Sequence, residues 1–293
     1  MMGKTELVGF IGVGIIGRGM AVNLLKAKIK LCVLAHKNRK TIDELVELGA
    51  DEAPSLAAMA QVCSIIILCL PNSKTIRSIV LSLTKTMMSD GLVIDCTTND
   101  TDTPRINYAD MQNAGLRYAE APLTGGQKQA IDASLGAIVG CDEKDYSEIK
   151  DVLSFCCERI ERFGEVGMGA KTKLISNFLA LGTATLVVEA MKTAKMVGID
   201  WSKFYLLASQ GSGHSMSLDR IAPKAVEGNF DGYVFSIANT AKDFEYICDF
   251  FPNNTDASLL AEQMFRIYQK AVDSGLGSNL LSERLDPKIY NQE

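Results

Sequence analysis

A glycine turn near the start of the chain, between an apolar strand and a helix, constrains the fold more than any other feature. The apolar stretch Leu7–Ile11 leads directly into Gly12–Gly17 (GVGIIG), and helical spacing follows. In this context the first glycine permits a tight turn, the second lets a ligand approach the backbone, and the third lets the helix pack closely on the strand. The helix N-terminus then presents N–H donors to a pyrophosphate. We therefore predict a dinucleotide-binding unit with these phosphate contacts: Gly12, Gly14, Ile15, Ile16 and Gly17.

Strand-like and helical segments alternate along the first half of the chain. Apolar runs at Leu31–Ala35, Ile65–Leu70 and Leu92–Asp95 are separated by segments of helical spacing with short connections. This alternation predicts a mostly parallel sheet covered by helices on both faces. We expect an α/β protein whose Rossmann-type, doubly wound sheet occupies residues 1–164.

The pattern changes after Gly169. From Ala170 to Val197 the chain has no proline and is rich in leucine, alanine, methionine and lysine, which predicts one long helix. Further helical stretches follow without a convincing strand. We expect an all-helical domain over residues 165–293, joined to the first domain by the long helix.

Length and composition fit a two-domain globular chain and exclude several classes of protein. The chain has 293 residues, of which 47% are apolar and 22% charged. Its net charge of −5 and the lack of a basic tail disfavour a nucleic-acid partner. Glycines interrupt the apolar start, and no uninterrupted apolar run is long enough for a membrane span, so we expect neither a signal peptide nor a membrane segment.

The cysteines indicate whether the compartment of the protein is oxidising or reducing. Eight cysteines contain no Cys-x-x-Cys pair, and there are only two histidines, so we expect no metal site. Scattered cysteines within apolar runs are typical of free thiols in a reducing compartment, and the sequence therefore predicts a cytoplasmic protein.

The end of the second predicted strand indicates which dinucleotide binds. NAD sites carry an acidic residue about 20 residues beyond the glycine turn, yet no acidic residue stands between Gly12 and Ile42. A solvated basic loop would explain the lysines there, but not the missing acid. We expect NADP(H), with NAD(H) as the alternative, because this segment offers groups that suit a 2′-phosphate: Lys37, Asn38, Arg39 and Lys40.

Two further strand ends are expected to contact the cofactor, because ligands bind outside the carboxyl ends of parallel strands. Leu70 and Pro71 follow one strand and offer a backbone turn toward the adenine side. Thr98 follows the next strand and offers a hydroxyl toward the nicotinamide side. Each segment is also compatible with an ordinary loop.

The start of the long helix offers a proton carrier. Lys173 and Asn177 are four residues apart and share one helical face. Burial disfavours the ammonium form of a lysine and lowers its pKa, which suits proton transfer. A surface lysine is the alternative reading of the same pattern. Neither His36 nor His214 has an obvious carboxylate partner in sequence. We expect the Lys173 face to enter packed protein because its neighbours are apolar: Leu174, Ile175, Phe178 and Leu179.

A second candidate follows the strand at Tyr118–Glu120. Thr124, Gly125 and Gly126 place a hydroxyl and several backbone N–H groups together, which forms a small anion-binding concavity suited to a carboxylate. A turn without a function is the alternative.

Seven segments then carry a resemblance that covers nearly the whole chain. In order they are GFIGVGIIGRGMAVNLL, CLP, CTT, APLTGG, ASLGAIVG, GMGAKTKLISN and AKDF. Their order and spacing resemble the β-hydroxyacid dehydrogenase family, which includes 3-hydroxyisobutyrate dehydrogenases, tartronate semialdehyde reductases and succinic semialdehyde (glyoxylate) reductases. Two positions depart from the usual pattern, since Ile16 replaces a methionine and Thr124 replaces the commoner serine.

The resemblance implies an NADP(H)-dependent enzyme that interconverts a small β- or γ-hydroxyacid and its semialdehyde. Lys173 resembles the family's catalytic lysine, the general acid/base, and Asn177 the amide that orients the substrate. Thr124, Gly125 and Gly126 resemble the loop that binds the substrate carboxylate. Further roles are implied near the cofactor for Thr98 and Lys242, and in lining the active site for Phe235.

Three alternatives remain open from the sequence. Relatives of 6-phosphogluconate dehydrogenase carry a histidine before the asparagine, where Ser176 stands here. Imine reductases usually lack the lysine. A non-catalytic dinucleotide-binding scaffold would not need Lys173, Asn177 and Lys242 together. The long helix is apolar on more than one face, and with the resemblance this predicts a dimer or tetramer.

Overall fold

The computed structural model describes residues 7–36 and 39–290, with Tyr290 described by its backbone only. The chain forms two compact units that divide between Lys173 and Leu174. The first contains a parallel-dominated sheet with helices and the second is helical, so the expected fold class is confirmed.

The sheet of the first unit has nine strands among the described residues. Their order is β3-β2-β1-β4-β5-β6-β8-β7, and β9 pairs with β8. Neighbours are parallel from β3 through β6, whereas β8 is antiparallel to β6 and β7. The strands are β1 (Leu7–Ile11), β2 (Lys30–Leu34), β3 (Asp51–Ala53), β4 (Ile65–Leu68), β5 (Leu92–Asp95), β6 (Arg117–Glu120), β7 (Leu123–Thr124), β8 (Leu135–Gly140) and β9 (Cys157–Gly164).

Helices cover both faces of this sheet. Successive strand residues point to opposite faces, so Ile65 and Ile67 of β4 join one buried core and Ile66 and Leu68 join the other. The strand order reverses at β1 and β4, and ligands bind at such a point in open α/β sheets. The helices are α1 (Ile15–Lys26), α2 (Arg39–Glu47), α3 (Leu56–Val62), α4 (Ser73–Thr86), α5 (Thr103–Asn113), α6 (Gln127–Ile131), α7 (Tyr146–Leu153) and α8 (Met168–Met196), which continues into the second unit.

The second unit packs the rest of α8 and further helices around one core. The helix at Ile237–Phe250 begins there because the Ser236 hydroxyl caps it by accepting from the N–H of Asn239 at 3.2 Å. The helices after α8 are α9 (Trp201–Ala208), α10 (Met216–Val226), α11 (Ile237–Phe250), α12 (Asp256–Ala271) and α13 (Pro287–Tyr290).

The apolar surface of α8 is only partly buried. Leu174 is fully buried and Phe178 packs against the core of the second unit. Ile175 and Leu179 are 53% and 72% exposed, so the expectation that both enter packed protein is wrong. By length and composition alone, α8 is apolar enough to cross a membrane. The core helix of a globular protein passes the same test, and 50% of the apolar window is buried within the chain.

Candidate functional site

The glycine turn after β1 has the geometry that a pyrophosphate requires. Gly12 has a φ of +100°, which favours glycine. A methyl group at Gly17 would overlap the carbonyl oxygen of Gly12, whereas one at Gly14 would meet open space. Gly14 is the N-cap of α1, whose first residues, Ile15 and Ile16, are uncharged. The backbone N–H groups of this turn therefore fit a phosphate dianion, and the predicted turn residues lie together.

The loops after β4 and β5 are joined beside this turn. The N–H of Leu70 donates to the Thr97 hydroxyl at 2.9 Å, and the N–H of Cys69 donates to the carbonyl of Ile11 at 2.9 Å. Pro71 is exposed in the first loop and Thr98 is half-buried in the second. The predicted cofactor-contacting segments thus lie at the same edge of the sheet.

Asp95, the last residue of β5, organises the second loop. Its carboxylate accepts from the Thr97 N–H at 2.9 Å, the Asn99 amide at 2.8 Å and the Tyr118 hydroxyl at 2.8 Å. Burial raises the pKa of Asp95 to about 6, against these hydrogen bonds. Sequence reasoning did not assign Asp95 a role, and its signal is an acidic residue that ends an otherwise apolar parallel strand.

The predicted phosphate-binding loop is described only in part. Lys37 and Asn38 lie outside the described residues. Arg39 begins α2 and is held by two carboxylates, with Nη1 2.6 Å from Glu52 Oε1 and Nε 2.7 Å from Asp43 Oδ1. Arg39 also donates from Nη2 to the second Glu52 oxygen at 2.8 Å. A 2′-phosphate would therefore compete with these carboxylates for the guanidinium.

The loop after β6 adopts a glycine-dependent conformation. Thr124 pairs with Gly136 of β8, and Gly125 follows with a φ of +109°. The N–H of Gly126 donates to the side-chain oxygen of Gln129 at 3.0 Å, so a substrate carboxylate would have to displace Gln129 to accept from it. Binding of a carboxylate by the Thr124 hydroxyl and the Gly125 N–H stays a prediction.

Glu120, at the end of β6, binds the start of α8. Its carboxylate accepts from three backbone N–H groups, those of Gly167 at 2.5 Å, Gly169 at 2.8 Å and Ala170 at 2.9 Å. Lys173 follows one helical turn later and is half-buried. Glu120 ends its strand as Asp95 ends β5, and no role for it was predicted from the sequence.

In the second unit, Asn177 is fixed by a buried carboxylate. It is 8% exposed, and its amide donates to Asp243 Oδ2 at 2.6 Å. The ammonium of Lys242 lies 2.8 Å from the other Asp243 oxygen and 5.0 Å from the centre of the Tyr246 ring. Asp243 therefore orients Asn177 and Lys242, two of the residues of this unit to which the resemblance gives a role.

Two further residues of the second unit were singled out in the sequence. Phe235 is half-buried just before α11, and its carbonyl accepts from the N–H of Leu281 at 2.8 Å. His214 has the carboxylate partner that sequence reasoning did not find, since its Nε2 lies 2.8 Å from Asp219 Oδ2 on the surface. Within residues 7–36 and 39–290, no group of three or more potential ligands could hold a metal ion.

The glycine turn at a topological switch point defines the first unit as a dinucleotide-binding unit. Residues 7–164 match the family described as the NAD binding domain of 6-phosphogluconate dehydrogenase. Residues 167–284 match the family described as the NAD-binding domain of NADP-dependent 3-hydroxyisobutyrate dehydrogenase. The chain belongs to the β-hydroxyacid dehydrogenase family.

Individual relatives agree with this family. The mitochondrial 3-hydroxyisobutyrate dehydrogenase of Drosophila melanogaster is 27% identical over 283 residues, which cover 94% of this chain and 87% of that protein. Glyoxylate/succinic semialdehyde reductase 1 of Arabidopsis thaliana is 27% identical and covers 98% of this chain and 99% of its own length. The crystal structure of a 3-hydroxyisobutyrate dehydrogenase from Salmonella typhimurium has the same fold, with a TM-score of 0.84 at 22% identity over 96% of this chain and 99% of that one. The family's activity, NAD(P)-dependent oxidoreduction of hydroxyacids, is therefore the activity class of this chain.

Proposed function

We propose that this protein is an NADP(H)-dependent oxidoreductase that interconverts a small β- or γ-hydroxyacid and its semialdehyde, with Lys173 as the general acid/base. The observation that carries the proposal is the first turns of α8, where Lys173 and Asn177 share one face and Asp243 fixes the Asn177 amide. The dinucleotide, when bound, supplies or accepts the hydride.

The protein residues align the substrate and move a proton. Thr124 and the N–H of Gly125 hold the substrate carboxylate, and the Asn177 amide orients the reacting oxygen. In the direction of reduction, Lys173 gives a proton from Nζ to the oxygen of the aldehyde, which becomes the hydroxyl. In oxidation it accepts the hydroxyl proton as the carbonyl forms.

The preference for NADP(H) is part of the proposal. It is supported by the absence of an acidic residue between Gly12 and Ile42 and by the cationic side chains of this segment. Arg39 contributes only when it exchanges a carboxylate for phosphate. We expect Lys40, which is exposed at the start of α2, to assist.

A substrate screen tests this function. The purified protein is assayed with NADPH and with NADH against glyoxylate, succinic semialdehyde and, in the reverse direction, 3-hydroxyisobutyrate. We expect turnover of at least one of these acids, with a lower KM for NADPH than for NADH. Tighter binding of NADH would overturn the cofactor preference, and binding of NADPH without any turnover would favour a non-catalytic scaffold.

We also propose that the protein is a cytoplasmic dimer or tetramer. Three apolar residues on α8 support association, since Ile175, Leu179 and Leu186 are 53%, 72% and 65% exposed. All eight cysteines are free thiols, which supports a reducing compartment. Light scattering of the purified protein tests the assembly, and a monomer at micromolar concentration would contradict it.

A further inference from the structure

We propose that Glu120 is a positioning residue that fixes Lys173 relative to the Thr124–Gly126 loop by clamping the start of α8. This inference rests on the proposed role of Lys173. The loop and the clamp leave the same strand, because β6 ends at Glu120 and Thr124 follows four residues later. The carboxylate of Glu120 therefore ties the substrate loop to the helix that carries the proton carrier.

The contacts of Glu120 are specific for the first turn of α8. One oxygen accepts from Gly167 and Gly169, and the other accepts from Ala170, across 47 to 50 residues of chain. These N–H groups begin a helix and would otherwise need another acceptor. A local capping residue would satisfy them without fixing the helix to anything else, whereas Glu120 fixes them to the sheet.

The surroundings of the carboxylate are shaped to admit it. A methyl group at Gly140, on the neighbouring strand β8, would overlap Oε1 of Glu120. A methyl group at Gly169 would stand 3.0 Å from Glu120 Cδ and 2.9 Å from the carbonyl oxygen of Ile138. The absence of side chains on both sides lets α8 approach the end of β6 closely enough for three hydrogen bonds.

Burying this acid carries a cost that a purely apolar strand end would avoid. Glu120 is 1% exposed, and burial raises its pKa to about 7 although three hydrogen bonds act in the opposite direction. The positive end of the α8 dipole is the other favourable contribution to the anion. The charged Glu120 carboxylate therefore lowers the free energy of unfolding. Such a cost is expected where the carboxylate is needed to hold the start of α8 in place.

The clamped turn lies directly before Lys173. Ala170 and Lys173 are three residues apart on one continuous helix, so a shift of the first turn moves the Lys173 ammonium. A displacement of about 1 Å at a reacting group costs up to about 100-fold in rate. Glu120→Gln is nearly isosteric, but its amide must turn an N–H toward at least one of the three donors.

The test is a double-mutant cycle of Glu120→Gln and Lys173→Ala, with kcat and the KM for NADPH as readouts. We expect Glu120→Gln alone to lower kcat about 10- to 100-fold, with KM for NADPH within about twofold of wild type. In the Lys173→Ala background the same change should have almost no further effect on kcat. An equal loss in both backgrounds, or no loss in the wild-type background, would overturn the inference.

The matched control is Asp145→Asn. Asp145 is also a buried acid of the first unit, but it pairs with Arg117 at the opposite end of β6, at 3.2 Å. We expect it to leave kcat within about twofold of wild type. Glu120→Asp keeps the charge on a shorter side chain, and its kcat should lie between those of Glu120→Gln and wild type. If Glu120→Gln does not fold, Glu120→Asp replaces it in the cycle.

Hydrogen exchange separates this inference from the proposed function. In Glu120→Gln the amides of Gly167, Gly169 and Ala170 should exchange faster, whatever Lys173 does. Unchanged exchange at these amides would overturn the clamp alone. Wild-type kcat in Lys173→Ala would instead overturn the proposed function, and the two failures are therefore distinguishable.

Discussion

The turn after β1 and the end of β6 both lie at the edge of the sheet where the parallel strands end, but they depend on different kinds of contact. The turn is six consecutive residues, Gly12–Gly17, in which Gly12 has a positive φ and a methyl group at Gly17 would overlap the Gly12 carbonyl oxygen. The end of β6 depends on Glu120, whose partners lie 47 to 50 residues away. Cofactor binding is thus specified by a short local pattern, whereas the placement of the proton carrier is specified by tertiary contacts. Changes in the two regions should separate binding from chemistry.

Lys173→Ala should have the largest effect. We expect kcat to fall about 10²- to 10⁴-fold because the general acid/base is lost, while the dissociation constant for NADPH stays within about twofold. Steady-state kinetics and fluorescence titration of NADPH measure the two quantities. Lys171→Ala, two residues away on α8, is the matched control and should leave both unchanged. A loss in kcat below about tenfold with a normal KM would contradict the assignment of Lys173 as the general acid/base.

The next largest effect is expected in the pH dependence of the free energy of unfolding, to which Glu120 contributes. Its pKa rises from 4.5 to about 7 on folding, so the native state keeps a proton that the unfolded chain has lost between these values. The free energy of unfolding therefore falls as the pH rises through this window, by about 2.5 kcal/mol between about pH 5 and pH 8 for this group. Denaturant titrations at both pH values measure the effect.

Glu120→Gln should remove that contribution. Asp95, whose pKa is raised to about 6, is present in both proteins, and its charge contributes to the raised pKa of Glu120, so the difference between the two proteins includes this interaction. The Asp145→Asn control retains Glu120 and should retain the wild-type slope. An identical slope in wild type and Glu120→Gln would show that Glu120 titrates at its ordinary pKa in the native state.

Two glycine substitutions test the turn after β1. Gly17→Ala places a methyl group against the Gly12 carbonyl and should lower the free energy of unfolding by about 1–3 kcal/mol as well as weaken NADPH binding. Gly14→Ala enters open space and should change stability by less than about 0.5 kcal/mol, yet still weaken NADPH. Thermal unfolding and NADPH titration separate them. Equal stability losses would mean that both glycines serve packing only.

The smallest effect is expected at Arg39. Glu52→Gln removes its bidentate partner and leaves Asp43 as the remaining carboxylate on the guanidinium, so a 2′-phosphate has less competition and NADPH should bind about two- to fivefold more tightly while NADH is unchanged. Glu47→Gln, an exposed residue at the end of α2, is the control. Weaker NADPH binding in Glu52→Gln would place Arg39 outside the phosphate site.

These two regions also explain what sequence reasoning could and could not predict. The glycine turn and the buried strands such as β4 were predicted because periodicity and glycine spacing are local. The edge strand β9 (CERIERFG) was missed because four of its eight residues are charged and its apolar residues do not alternate, and β3 is only three residues long. Asp43, one partner of Arg39, is four residues away on the same helix, but the contacts of Glu120 and of Glu52 depend on which strand and helix ends meet. That information is not contained in any short stretch of sequence.

A single-turnover measurement on Lys173→Ala tests most directly whether Lys173 is the proton carrier. The variant is saturated with NADPH, mixed with a semialdehyde accepted by the wild type, and the first turnover is followed by NADPH absorbance. This isolates the chemical step from product release. We predict a rate about 10²- to 10⁴-fold below wild type with the same NADPH occupancy. A first turnover within about tenfold of wild type would contradict the assignment of Lys173 as the proton carrier.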